Sequence, residues 1–288
     1  MTEKDFPALQ QAADAASKTA QRRFHLALGC NLISLIAAAT LSVVNYPAAW
    51  FAEAQAVLLL LGLVMAVYLA LWQPQRVWYG MRALAESIKT ISWRFMMRAE
   101  PYNVEHSGAE RLFSESLLKI LAANSQISRH ATFAAQPDQI TVAMRQCRNL
   151  ELAERKRRYL DGRIRDQLSW YQQKAQSNKR ASLIWFSTLV LANALALAAA
   201  VVKIDHPNVQ LWPTDILTAI AGAAMGWIQA KRFQEMAASY ALAAHEISII
   251  SVALPAGDDE GMFSTFVGDA ESAFSREHTQ WQARRDVG

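Results

Sequence analysis

The chain reads as an all-α integral membrane protein, with four transmembrane helices in two hairpins and long cytoplasmic helical extensions. Three observations predict this. Apolar residues, 52% of the 288, are gathered into four blocks instead of being spread along the chain. The stretches between the blocks are strongly charged. The bases flank the blocks on one side only.

The first block, 24–44, has roughly the 20 residues that cross a hydrocarbon core of about 30 Å, and only His25 and Asn31 interrupt it strongly. The second, 54–72, contains Leu58, Leu59, Leu60 and Leu61, and the third, 181–202, carries no charge. The fourth, 214–230, is short and rich in Ala and Gly. It is accepted as a span because the basic C-terminal part would otherwise lie across the membrane. Lys18, Arg22 and Arg23 precede the first block, and Arg76 and Arg82 follow the second. Lys174, Lys179 and Arg180 precede the third, and Lys231 and Arg232 follow the fourth. The loops 45–53 and 203–215 hold Lys203 as their one base. The positive-inside rule then puts both termini and the middle segment in the cytoplasm. Trp50, Phe51, Trp72, Trp212 and Trp227 stand near block ends, where interfacial aromatic anchors belong. The first 20 residues lack the pattern of a cleavable leader, so the first span is expected to stay in the mature protein.

The two halves share a layout: a basic helix, a span, a short loop, a second span and an exit helix. The exit helices align at 83–91 and 243–250 and place Glu86 on Glu246, which suggests a duplicated two-span module. The modules are set at 1–125 and 139–288, with a linker over 126–138. Cys30 and Cys147 read as free thiols in a reducing compartment. The net charge of +4 suits a basic cytoplasmic face and equally a nucleic-acid binder.

Between 139 and 180 there is no proline, and apolar residues recur at three- and four-residue steps, predicting one long amphipathic helix capped by Asp138. Helices are also predicted over 232–254 and 266–285, with a loop at 255–261 between them. On the long helix Tyr159, Arg163, Gln167 and Tyr171 fall at four-residue steps, with Trp170 beside them. This stripe either fixes helix register inside a cytoplasmic bundle or forms a surface for a signal or another subunit. Arg155, Lys156, Arg157 and Arg158 are expected to form a basic surface for anionic head groups or for nucleic acid.

The spaced pattern Tyr159, Arg163, Gln167, Trp170, Tyr171, Lys174, Ala175 and Asn178, running into a span, resembles the SLATT family of two-transmembrane effector domains. The tail residues Glu271, Glu277, His278 and Trp281 look like the same family. In the first half, Lys89 to Phe95 (KTISWRF) with Arg98, Ala99, Glu100, Pro101 and Tyr102 resembles another SLATT subtype. The first half has no matching Tyr-Arg-Gln-Trp-Tyr stripe before its span. The resemblance implies an effector of bacterial antiphage defence in the inner membrane, assembling from several copies to form a pore or disrupt the bilayer. It implies a cytoplasmic trigger: a nucleotide second messenger, or a reverse transcriptase and its nucleic-acid product. The alternative is a scaffold that tethers such a partner without opening a pore.

No enzyme constellation is present. The six histidines form no metal-ligand spacing, and no cofactor is expected. Gly222 and Gly226 form a GxxxG pair suited to close helix packing. Asn31 and Asn193 are the polar span residues to weigh, as interhelical hydrogen-bonding groups or as the lining of a water-filled path. Counting the fourth block's apolar run from Ile216 to Ala230, the spans hold no Asp, Glu, Lys or Arg, which argues against a proton relay.

Overall fold

The computed structural model describes residues 1–125, 138–206, 209, 211–255 and 257–286, with side chains as far as residue 275. Helix makes up 85% of it, and no strand occurs among the described residues. The helices are α1 (Ala8–Val44), α2 (Ala49–Trp72), α3 (Pro74–Met96), α4 (His106–Ala123) and α5 (Val142–Arg148). They continue with α6 (Leu152–Tyr159), α7 (Asp166–Asp205), α8 (Thr214–Lys231), α9 (Phe233–Val252) and α10 (Glu260–Asp286). A π-helical turn, Leu160–Arg165, joins α6 to α7. The expected linker lies almost wholly outside the described residues.

Among the described residues, three helical stretches are long and apolar enough to cross a membrane: Ala8–Val44, Ala49–Trp72 and Leu152–Asp205. The segment expected as a fourth span is helical, as α8, but is not among them.

The chain forms two compact units, and each takes pieces from both halves of the sequence. One comprises Met1–Gln21, Gln75–Gln172 and Leu242–Gly288, and the other Arg22–Pro74 and Gln173–Ala241. The first is built like a water-soluble bundle. Leu84, Ile88, Trp93, Phe95, Phe113, Tyr159, Ile164 and Phe263 are fully buried, so large apolar side chains leave water together.

The second unit inverts that rule. Apart from Pro74 and Phe233, which follow α2 and α8, its buried residues are small: Ala27, Ser34 and Ala38 of α1, Gly62 of α2, Ala192 and Ala196 of α7, Ala221 and Ala224 of α8. Its large apolar residues face outward, with Ile33 68%, Leu71 69% and Leu183 67% exposed. Small contact residues let helix backbones approach closely. A Cβ added at Gly62 would stand 3.0 Å from the Ser34 hydroxyl oxygen, and the Asn31 amide donates to the Gly62 carbonyl at 2.7 Å. An apolar exterior of this kind suits contact with hydrocarbon.

Two helix ends carry a trace of the duplication. Gln73, between α2 and α3, and Arg232, between α8 and α9, both adopt left-handed backbone (φ 42° and 49°). Each sits where the second apolar helix of its half gives way to the next helix. By contrast, the aligned Glu86 and Glu246 differ in environment, Glu86 being buried and Glu246 exposed.

The single helix expected from 139 to 180 is broken. Asn149 ends α5, and extended backbone at Glu151 starts α6. Periodicity missed this because the break is held by side chains. Arg155 Nε donates to the Leu150 carbonyl at 3.0 Å, and Thr141 caps α5 by accepting from the Met144 N–H. Asp138 therefore is not that helix's cap; its carboxylate accepts from the Ile140 N–H instead. The last helix starts at Glu260, earlier than expected, because Asp259 accepts the N–H groups of Gly261 and Met262.

Candidate functional site

The π turn widens the helix by one residue, and Gly162 within it faces the Trp93 indole. A Cβ there would lie 3.2 Å from a ring carbon of Trp93, so a side chain is kept out by the tryptophan. The same turn holds Arg163, which is 1% exposed. Its Nε and Nη2 donate to the two carboxylate oxygens of Glu271 on α10 at 2.9 and 2.8 Å. The Tyr159 hydroxyl donates to the same carboxylate at 3.1 Å. The Phe274 ring lies under the guanidinium at 4.9 Å, and Trp93 meets Tyr159 edge-on at 5.8 Å.

This forked pairing is the strong form of a charge-assisted hydrogen bond. Burial opposes the charge on Arg163, but the charge and hydrogen bonds of Glu271 outweigh it, so its pKa rises. Burial, reinforced by the Glu271 charge, raises the Tyr159 pKa well above its ordinary value. The tyrosine therefore serves as a neutral donor.

Of the predicted stripe, Tyr159, Arg163 and Tyr171 are buried, whereas Gln167 and Trp170 are partly exposed. Gln167 and Trp170 line a cleft of about 480 Å³ within the first unit. Its walls include Asp14, Arg82, Glu86 and Lys89. Arg82 spans Asp14 and Glu86 at 3.5 and 2.8 Å and lies over the Trp170 ring at 5.8 Å. Burial lowers the Lys89 pKa despite the nearby Glu86 carboxylate.

The basic segment divides. Arg157 and Arg158 are exposed and Lys156 is partly so, but Arg155, expected on that surface, is 1% exposed. Its guanidinium is spent on the Leu150 and Met97 carbonyls and on Glu260. Arg148, upstream in the same basic stretch and so expected on that surface too, is also buried and donates to the Phe95, Tyr102 and Val104 carbonyls. Burial, then the charges of Arg98 and Arg155, push its pKa down to about 10. Cys147 beside it and Met144 one helical turn earlier, both apolar, are the sequence signal that could have marked it.

The polar residues of the second unit separate as well. Asn31 bonds across to α2, whereas Asn193 is exposed and donates to its own helix, at the Leu189 carbonyl. A Cβ added at Gly226 would lie 3.6 Å from Leu32 of α1, whereas one added at Gly222 would meet no other side chain within 4 Å. Cys30 is exposed, Cys147 buried, and both are free. Among the described residues no group of three or more His, Cys, Asp or Glu is placed to hold a metal.

The family motifs thus meet in space. Tyr159 and Arg163 come from the second-half stripe, Glu271 from the tail, and Trp93 from the first-half segment. The side chains of Glu277, His278 and Trp281 lie outside the described residues. Comparison with curated proteins and with solved structures gives no match. Residues 7–156 match the family described as SMODS and SLOG-associating 2TM effector domain 3. Residues 159–281 match SMODS and SLOG-associating 2TM effector domain 1. SLATT domains are linked, as a family, to antiphage defence effectors. The chain belongs to the SLATT family, as two SLATT domains in tandem.

Proposed function

We propose that the chain is an inner-membrane effector of bacterial antiphage defence, in which several copies assemble and breach the bilayer when a cytoplasmic signal arrives. The observation that carries this reading is the inverted second unit, with small residues inside and large apolar residues outside. A unit of that kind belongs in lipid, and the SLATT match supplies the effector role. In this reading α8 is the fourth span and pairs with α7 as α2 pairs with α1. Both termini lie in the cytoplasm, because the exposed bases Arg22, Arg23, Arg157 and Arg158 then face the anionic inner leaflet. The Arg163–Glu271 cluster holds the cytoplasmic helices in register, and the Gln167–Trp170 cleft is where a nucleotide or a partner's nucleic acid would act.

Purified chain in phospholipid vesicles loaded with a self-quenched dye tests the reading. Dye release that rises steeply with the protein-to-lipid ratio is expected. Sealed vesicles that capture the defence partner would favour a second reading, a membrane scaffold. The exposed Arg157 and Arg158 are the observation in its favour, since they could hold nucleic acid through its phosphates.

A further inference from the structure

The cleft lined by Gln167 and Trp170 holds polar groups that the fold leaves unanswered. Trp93 and Gln10 both line it, and they are only 1% and 8% exposed. Among the described residues nothing accepts a hydrogen bond from the Trp93 indole N–H, and nothing donates to the Gln10 side-chain carbonyl. A buried polar group without a partner is costly. Two in the wall of one cleft, a donor and an acceptor, mark a place that an incoming polar group would complete.

The charges of the cleft sort in the same way. Asp14 and Glu3 hold Lys18 at 2.6 and 2.8 Å, Arg82 spans Asp14 and Glu86, and Asp161 takes Arg165. Two charges remain. Lys89 lies over the Phe6 ring at 5.9 Å and forms no ion pair with a described residue. Asp166, exposed in the first turn of α7, forms none either. The two act on each other's charge, and Gly162, about one turn before Asp166, meets the Trp93 ring. A carboxylate, an ammonium, an N–H donor and a carbonyl acceptor thus line one cavity.

A phosphate group fits this cavity poorly, because five carboxylates line it against three basic side chains. A planar base fits better. Trp170, partly exposed, offers a ring on which a base can stack. A carboxylate is bound most strongly by two parallel N–H groups, and of the common bases guanine alone carries two donors side by side, N1–H and the N2 amine. Adenine, cytosine and uracil would each set a lone pair against the carboxylate. Beside those donors guanine presents the acceptors O6 and N7, the atoms that a lysine reads. We infer that this cleft reads a guanine base: Asp166 accepts from N1–H and the N2 amine, and Lys89 and the Trp93 N–H donate to O6 and N7. Gln10 accepts the second hydrogen of the amine, and the sugar and phosphate stay toward solvent. The inference rests on the reading that a nucleotide or a nucleic acid acts at this cleft, and adds which part of it enters.

Calorimetric binding to the detergent-solubilised full chain tests this. The probes are guanosine, the monophosphates of guanosine, adenosine and uridine, and short oligothymidine strands ending in deoxyguanosine or deoxyadenosine. Guanosine and its monophosphate are expected to bind alike, and about tenfold or more tighter than the adenosine and uridine compounds. Asp166→Asn, which turns one acceptor into a donor at an exposed position, should abolish that preference without moving the thermal midpoint. Lys89→Met should weaken guanosine binding in a chain that stays folded. A strand ending in deoxyguanosine that matches the monophosphate supports the inference with nucleic acid as the source of the base; binding of the mononucleotide alone supports it with a free nucleotide. Equal binding of all bases, binding of the monophosphate but not of guanosine, or an unaltered preference in Asp166→Asn would overturn the inference and leave the effector reading standing. No binding by any probe would overturn it together with the cleft as the place where a nucleotide acts. Guanine-selective binding to a chain whose vesicles stay sealed with and without guanosine leaves the site standing, and the breaching of the membrane fails.

Discussion

Arg163 and Glu271 carry opposite charges in a site that water does not reach, so each depends on the other. Removing one partner strands a buried charge, which costs about 3–5 kcal/mol. Arg163→Met alone should therefore lower the thermal midpoint of the detergent-solubilised protein sharply. Arg163→Met combined with Glu271→Leu should recover most of the loss, because an apolar pair of similar volume replaces a neutralised one. Equal loss in the single and double variants would contradict this account of the cluster. Lys89 makes the opposite kind of prediction. Its folded pKa lies below the ordinary 10.5 because burial penalises the charge, so the charged form weakens the fold. That penalty is complete below the folded pKa and disappears as pH rises toward 10.5. Lys89→Met should raise the unfolding midpoint at pH 7, and its advantage should shrink as pH is raised toward 10.5. A pH-independent difference would show that packing, not charge, governs the site. The residues of the cluster were visible in the sequence as a spaced stripe and a tail pattern. Their pairing was not, because 163 and 271 stand far apart in the chain and only the folded topology joins them. Arg155 shows the converse: the sequence marks a base, but a buried guanidinium gathering carbonyls looks the same in one dimension as a solvated one.

At the scale of elements, the apolar helices were legible because a run of uncharged residues has few other uses. α1, α2 and α7 each contain their expected block, and the ends of α2 lie close to it. The breaks were less legible. The interruption at Asn149–Glu151 and the π turn at Leu160–Arg165 carry no proline, and tertiary contacts hold them in place. Gly162 shows how: its missing side chain is what lets Trp93 pack against the helix. The α1–α2 contact depends on a similar absence. Gly62→Leu would drive a side chain into Ser34, whose oxygen is 3.0 Å from the would-be Cβ, and would disturb the Asn31 bond. An overpacked helix contact costs about 1–3 kcal/mol, so the thermal midpoint of the solubilised protein should fall. An unchanged midpoint would mean that α1 and α2 do not rely on close approach at this point.

Across the whole molecule, the tandem repeat is folded into two units, and neither corresponds to one repeat. Each half supplies apolar helices to the inverted unit and charged helices to the bundle. The duplication could be read from layout and family motifs. The division into units could not, since it follows from which surfaces each environment accepts: large apolar residues inward where water surrounds the bundle, and outward where lipid would surround the spans. The buried ion pair, the mixed-charge cleft and the exposed Arg157 and Arg158 all lie in the bundle. The central claim, that the chain breaches the membrane when infection is sensed, is tested most directly by following dye entry and membrane potential in cells that carry the complete defence system during phage infection. The account predicts that potential collapses and an impermeant dye enters before phage-driven lysis, and that neither occurs in cells lacking this chain. A protected culture whose membranes stay polarised and dye-tight throughout infection would contradict it.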